Sequence, residues 1–414
     1  MAAQYKMQIH QTYVTTAFLN ANLKEEIYMR QPEGYVVEGQ KDKVLKLNKS
    51  LYGLKQAPLE WNERINEVLL SLKFTRNRAE YCIYSRKTED SFVIIALYVD
   101  DLLIVGTTIK AIEEVKKGLM NSFKMKDLGK VGKFLGMNIN QNENCDVKLS
   151  LSDYITKMLK EFGMSDCKAE KTPFYSNSSL NEVNDQQQNY GNVLQYRMLV
   201  GKLLFASNTV RFDITQIVGV LSRFLQNPKV IHMKTAKRVL RYLKGTIEYG
   251  IKYTCKQKNS IKGFWRDADW ANDKVSRRSI PGYVFKYAGG PITWRSKKQA
   301  VVAISTAEAE YMSLCEAVKE SLWLSNVFKD FNIELGEMII CEDNTSTIDM
   351  TKHPAFHYRS KHIDILCAFT RDHVAKGNVK IEYFPTKSQI VDMFTKTLPK
   401  PQFIKSRDLC SEVN

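Results

Sequence analysis

The chain has 414 residues, 44% of them hydrophobic, which is enough for two or three domains with ordinary cores. Lys and Arg number 61 against 45 Asp and Glu, and the formal net charge of +16 points to a polyanionic partner, nucleic acid before a membrane surface. The first residues lack the apolar run of a signal peptide, no stretch of about 18 apolar residues is present, and the eight cysteines form neither a C-x-x-C pair nor a zinc spacing, so the sequence argues against a transmembrane helix, a disulfide scaffold and a zinc site and for an intracellular protein with reduced thiols.

Residues 1–165 read as mixed α/β. The run SFVIIALYVDDLLIVG (91–106) predicts two apolar strands joined at Asp100-Asp101. Ile112, Val115, Leu119 and Phe123 then recur at helical spacing, and a short helix follows Ser152 with Ile155, Met158, Leu159 and Phe162 inward. Residues 175–192 are polar and nearly free of core residues, the best linker candidate. Residues 193–246 read as helical. There Val239, Leu240 and Leu243 interleave with Lys234, Lys237, Arg238, Arg241 and Lys244. Such a face is either simply solvated or binds phosphates; Lys237, Arg238, Arg241 and Lys244 are the candidate contacts to a nucleic-acid backbone.

From residue 257 the pattern changes. Strands are predicted near 261–265, 282–287 and 291–296, with a turn at Gly289-Gly290. A long helix should start after Ser305-Thr306, with Tyr311, Leu314, Val318 and Leu322 on one face. Strands at 338–342 and 379–384 each lead into a helix. The expected division is 1–165, 166–256 (including the linker), an independently folding segment 257–400, and a tail, 401–414.

Two sets of acidic residues carry chemistry. Asp100 and Asp101 sit side by side at the tip of an apolar hairpin. Like charges about 4 Å apart repel by roughly 4 kcal/mol at an effective dielectric of 20, and a hard divalent cation removes that cost. Asp-Asp also makes a serviceable turn. In the second half, Asp267, Glu310, Asp343 and Asp392 stand at the ends of predicted elements. Each alone suits a solvated or capping role; brought together, they would need a divalent ion to be tolerable.

The motifs around these residues resemble, in order, those of copia-type retrotransposon Pol polyproteins. TAFLN (16–20), EEIYMRQPEGY (25–35), LNKSLYGLKQAP (47–58) with Trp61, YVDD (98–101) and FLGMNI (134–139) are similar to the reverse transcriptase. The resemblance implies that Asp100 and Asp101 bind catalytic metal, that Phe18 lies under the nucleotide sugar, and that Tyr52, Gly53, Lys55 and Gln56 line the nucleotide and template pocket. It also implies that FLGMNI grips the primer. Tyr13 stands where the family has a third catalytic aspartate, and the family's preceding finger segment would lie before residue 1. Both departures imply an impaired polymerase.

DADWAND (267–273), RRSIPGYVFK (277–286), WRSKKQ (294–299), STAEAEYMSL (305–314), EDN (342–344), SKHIDI (360–365) and FTKTLP (394–399) resemble the copia ribonuclease H. Asp267, Glu310, Asp343 and Asp392 fall on its metal-binding carboxylates, with one residue more than expected between Gly263 and Asp267. His362 and Asp364 are motif residues for which the sequence supplies no role. Residues 196–224 and 238–246 resemble the family's linking region.

The implied architecture is multidomain, α/β and α+β. It comprises a truncated reverse transcriptase palm and fingers with thumb-like helices, a helical connection, and a C-terminal ribonuclease H-like fold. The implied cofactors are Mg²⁺ or Mn²⁺ in two-metal sites. The implied partners are an RNA–DNA hybrid, an RNA template with a DNA primer and, if polymerase activity is retained, deoxynucleotides. The implied location is a cytoplasmic particle or the nucleus. The alternative reading is a catalytically inactive, nucleic-acid-binding remnant of a decayed element.

Overall fold

The computed structural model describes residues 1–175, 180, 188–255, 261–266, 279–299, 306–352, 361–385 and 389–411, with the side chains of 266, 306–309 and 361–364 excepted. Most of the expected linker 175–192 therefore lies outside the described residues, as does Asp267. The chain forms two compact units, one essentially Gln4–Phe134 and the other essentially Leu135–Asn414. This division falls earlier than the boundary expected near 165.

The first unit is built on a six-stranded antiparallel sheet. Its order across the sheet is Thr75–Arg76, Ile83–Lys87, Phe92–Tyr98, Asp101–Gly106, Gln8–Val14 and Met125–Lys130. Helix α1 (Ala57–Ser71) buries Trp61, Ile65, Val68 and Leu69 in the same core as Val93, Ile95, Leu102 and Ile104. Helix α2 (Ile109–Met120) starts where the Thr108 hydroxyl accepts from the Ala111 N–H at 3.2 Å, and it adds Ile112, Val115 and Leu119 to that core. The interior strand Gln8–Val14, next to the edge, is polar in sequence yet buries His10, Gln11 and Thr12. The Lys116 ammonium, 2% exposed, meets His10 Nδ1 at 2.7 Å and the carboxylates of Glu113 and Asp127 at 2.9 Å each.

In the second unit, antiparallel strands Met137–Gln141, Val147–Ser150 and Gly250–Tyr253 flank helices α3 (Ser152–Glu161), α4 (Val193–Thr209), α5 (Thr215–Leu221) and α6 (Val230–Lys244). A five-stranded sheet follows, in the order Gly290–Ser296, Gly282–Tyr287, Lys262–Arg266, Ile339–Glu342, Lys380–Tyr383. The first three strands are antiparallel, and the last two join in parallel. Parallel neighbours need crossover connections. Here they contain α7 (Thr306–Lys329) between one pair, and α8 (Thr345–Lys352) and α9 (Lys361–Ala375) between the next. The hairpin turn lies at Ala288-Gly289, with Gly289 at φ +87°, a conformation glycine adopts without strain. This is the ribonuclease H-like arrangement that the motif order implies.

After α10 (Asp392–Thr395), α11 (Lys400–Cys410) takes up most of the described part of the expected tail. Phe394, Leu398, Phe403 and Cys410 share one core with Tyr196, Leu203, Leu240 and Val284. No helix among the described residues is long and apolar enough to cross a membrane.

Candidate functional site

Strands Phe92–Tyr98 and Asp101–Gly106 stay paired up to Tyr98 opposite Asp101, which leaves Val99 and Asp100 as the turn. Val99 takes φ +54°, a costly conformation for a β-branched residue. The buried Trp61 indole N–H donates to the Val99 carbonyl at 2.6 Å and holds that turn. On the other side of the hairpin, Tyr13 lies opposite Asp101 in the register, and the Val14 N–H donates to the Asp100 carbonyl at 2.8 Å. Tyr13 thus comes directly against the aspartate pair. The interaction of its phenol with the Asp100 carboxylate, followed by the Asp100 charge, raises the phenol above its ordinary range. Burial and then the Asp100 charge push the Asp101 carboxyl up, against a bond from Gln11 Nε2 at 3.5 Å.

The Phe18 and Tyr52 rings pack with centroids 4.6 Å apart. Burial, then the charge of Asp100, raises the Tyr52 phenol, against backbone bonds from Ala17 and Phe18. These couplings join the 16–20 turn, the Tyr52 loop and the aspartates in one constellation. Gly53 adopts φ +100°, where a side chain would be strained. Lys55 is exposed, and Gln56 is the N-cap residue of α1.

In the second unit, strand Ile339–Glu342 ends beside the first turns of α7 and α8. Asn344 Nδ2 and the Thr347 hydroxyl (3.1 Å) both donate to Glu310 Oε2, so the start of α8 orients this carboxylate. Glu342, which sequence reasoning passed over for Asp343, is 1% exposed. Its Oε1 accepts the N–H groups of Asp343 and Asn344, each at 2.8 Å, and its buried Oε2 has no hydrogen-bond partner. Burial first, then the charges of Asp343 and Glu310, push the Glu342 carboxyl well above the usual range, against the two backbone donors. The signal was present in the sequence: two successive acids end a strand, and only one of them can share the face of Ile340.

Asp343 is half-buried beside Glu342. Asp392 opens α10 at 2% exposure, pairs with Lys396 at 3.6 Å and accepts from Gln402 Nε2 at 3.4 Å. Asp267 lies outside the described residues, and so do the side chains of His362 and Asp364, whose backbone begins α9. Among the described residues, no three His, Cys, Asp or Glu side chains form a group suited to a metal ion.

The basic face of α6 has partners within the chain. Arg238 pairs with Glu170 at 3.2 Å, donates to the Thr172 hydroxyl at 3.1 Å and lies 4.0 Å over the Tyr175 ring. Arg241 pairs with Glu170 at 2.9 Å and donates to the Lys168 carbonyl at 2.7 Å. Lys244 donates to the Cys167 carbonyl at 2.7 Å. Arg238, Arg241 and Lys244 thus bond the segment 167–175, while Lys234 and Lys237 are exposed.

Residues 1–176 match the family described as reverse transcriptase (RNA-dependent DNA polymerase). The whole chain is 39% identical to a retrovirus-related Pol polyprotein from transposon TNT 1-94 of Nicotiana tabacum, and it spans 31% of that relative's length. A Pol polyprotein from transposon RE1 of Arabidopsis thaliana is 33% identical over 97% of this chain, which spans 27% of that protein. The putative transposon Ty5-1 protein of Saccharomyces cerevisiae is 42% identical over 74% of this chain and 99% of its own length. Among solved structures, the foamy viral protease-reverse transcriptase in complex with RNA/DNA hybrid shares the fold at 13% identity, with a TM-score of 0.54, over 95% of this chain and 45% of that one. On this ordered agreement of motifs, topology and sequence, the chain belongs to the Pol proteins of copia-type retrotransposons and carries a reverse transcriptase segment at its N-terminal side.

Proposed function

We propose that the chain acts on RNA–DNA hybrids, with metal-dependent cleavage of the RNA strand carried by the second unit and with templated synthesis at the palm impaired. The observation that carries this reading is the carboxylate arrangement at the end of strand Ile339–Glu342. Asn344 and Thr347 fix Glu310, and its charge, after that of Asp343, is felt by the buried Glu342 carboxyl. A buried acid oxygen without a donor suits a hard cation, so Glu310, Glu342 and Asp343 would hold Mg²⁺ or Mn²⁺, and the family resemblance alone adds Asp267 and Asp392. When bound, the ion supplies charge for the attacking and leaving oxygens. The protein's own part is to hold the carboxylates in place before the ion arrives.

The palm supports the opposite conclusion for synthesis. Asp100 and Asp101 can share one cation, but Tyr13, opposite Asp101 in the sheet, offers only a neutral phenol whose pKa the aspartates raise. That donor set does not fit a two-metal site. RNA template with DNA primer therefore remains a binding partner, whereas deoxynucleotide addition is lost. The test is a labelled hybrid incubated with the full chain and Mg²⁺ or Mn²⁺, beside primer extension under the same conditions. RNA fragments that disappear in Glu310→Gln, with no extended primer, are expected. Robust extension, or intact RNA with folded protein, would overturn the respective half of the reading.

A further inference from the structure

The motif WRSKKQ (294–299) carries three cations that the cleavage reading leaves without a task. We propose that they serve a pocket for a single nucleotide unit, an aromatic base with its phosphate, held between the five-stranded sheet and α7. Glu310, Glu342 and Asp343 do not line this pocket.

Its wall follows from the strand register. Antiparallel pairing sets Trp265 opposite Tyr283, and Tyr283 opposite Arg295. Residues opposite one another share a face of the sheet, so the three form a row across adjacent strands. Trp265 and Tyr283 belong to the core that includes Leu314 and Val318 of α7, which puts the row on the α7 side. Past Ser296 the chain runs on beside the residues that lead into strand Gly282–Tyr287. The Lys297 N–H donates to the Pro281 carbonyl at 3.3 Å, and the Gln299 N–H donates to the Ser279 carbonyl at 3.0 Å. Gln299 Nε2 donates to the Ser313 hydroxyl at 2.8 Å, which ties this segment to α7. Between the row and the helices lies a cavity of about 290 Å³, which Met312 of α7 and Leu366 of α9 also line.

That volume is near the lower end of the roughly 300–1,000 Å³ of small-molecule sites, too small for any stretch of duplex. Trp265 is 1% exposed, and its buried Nε1–H has no hydrogen-bond partner among the described residues. An unmet donor in an apolar wall is costly, and an acceptor on a bound molecule relieves that cost. The charged residues of the lining are Arg295, Lys297, Lys298 and Glu316, three cations against one carboxylate. Arg295 at 3.2 Å and Lys319 at 2.9 Å already neutralise Glu316. The remaining excess is positive. Two adjacent lysines match the double charge of a terminal phosphate better than the single charge of a carboxylate. Bases stack on aromatic walls whatever their identity. A base joined to a phosphate therefore uses the aromatic wall, the indole donor and the lysines together.

The test titrates the full chain in EDTA, which keeps divalent ions from the carboxylates and makes the result independent of hybrid cleavage. Adenosine monophosphate and a short single strand with a terminal phosphate are each followed by calorimetry. Lys297→Gln with Lys298→Gln should weaken binding by about tenfold or more, the loss expected when charge-assisted contacts are removed. Weakening with the free nucleotide identifies it as the occupant; weakening with the strand alone identifies a nucleotide held within a chain. Weakening with neither, or no saturable binding of either up to about 1 mM, overturns the proposal, the cavity then holding water only. Met312→Trp fills the cavity and keeps both lysines, and its melting curve verifies folding. It should weaken the same titration by a similar factor. Intact binding in folded Met312→Trp would also overturn the proposal, because the lysines would then act as an open charged surface. Should Met312→Trp not fold, Trp265→Phe replaces it. That variant removes the indole N–H, keeps an aromatic wall and should bind about threefold or more weaker, and unaltered affinity there counts against the pocket in the same way.

Discussion

Asp213 and Arg211 form a bidentate pair at 2.7 and 2.9 Å with both side chains almost fully buried. Arg211 also donates to the Thr246 hydroxyl and carbonyl, and the Tyr242 hydroxyl donates to Asp213 at 2.5 Å. Burial pushes the Asp213 carboxyl up, but the Arg211 charge and bonds and the Tyr242 bond outweigh it and hold it below its ordinary 3.8. An acid with a lowered folded value stabilises the fold above its unfolded value, and that contribution is lost as pH falls through the lower folded one. The second unit should therefore lose stability below about pH 4, and Asp213→Asn should flatten that part of the profile. The same substitution leaves Arg211 buried and unpaired, at a cost of about 3–5 kcal/mol at neutral pH in urea unfolding. A second test at this scale concerns Tyr13. Tyr13→Asp removes the phenol donor and adds a charge opposite Asp101, so the palm should gain Mn²⁺ affinity, measured with Glu310→Gln and Glu342→Gln to silence the other site. Unchanged affinity would mean that Tyr13 does not limit metal binding at this hairpin.

At the scale of elements, α6 shows what a sequence can and cannot say. Its apolar stripe of Val239, Leu240 and Leu243 is legible from spacing alone, and all three are buried. The partners of its basic residues are not legible, because Glu170, Lys168 and Cys167 lie some seventy residues away. Charge periodicity reports which face is polar, not what meets it. The strand Gln8–Val14 escapes a hydrophobicity reading for a related reason: its His10 and Gln11 are buried to bond Lys116 and Asp101 rather than to fill a core. Asp100 and Asp101, by contrast, announce themselves, since adjacent acids at an apolar hairpin tip have few structural uses. The pairing of α6 with 167–175 yields a prediction. Arg238→Gln with Arg241→Gln should lower the melting temperature and leave the salt dependence of hybrid binding unaltered. Lys234→Gln with Lys237→Gln should do the reverse, reducing the slope of log affinity against log salt by up to about two. Anisotropy titrations over a salt series separate the two outcomes.

For the molecule as a whole, the question is how little chain can fold. Strand and helix patterns mark 257–400 as a self-contained segment, yet the core is drawn across that boundary. Val284 of the five-stranded sheet and Met393 and Phe394 of α10 belong to the same buried cluster as Tyr196, Ile217 and Leu243 of the helical region. Trp294 donates to the Ser207 carbonyl at 2.8 Å, and Phe212 packs edge-on against Trp294. Past residue 400, Phe403 is fully buried against Phe174 and Tyr242, and Arg407 reaches the Tyr242 hydroxyl at 3.3 Å. Cutting at 257 and 400 would expose these faces together, and each large apolar side chain brought into water costs about 1.5–3 kcal/mol, against a total stability of roughly 5–15 kcal/mol for a domain. The isolated 257–400 segment should therefore give no cooperative melting transition, whereas a chain running from 135 to 414 should give one. Circular dichroism melts of the two fragments decide it, and a sharp transition in 257–400 would show that the shared core is dispensable. A fragment ending at 399 but starting at 135 isolates the part played by α11. It loses Phe403, Arg407 and Cys410, and its transition should fall well below that of the 135–414 chain, because the buried pair of Arg211 and Asp213 and the Tyr242 hydroxyl then lose the helix that covers them.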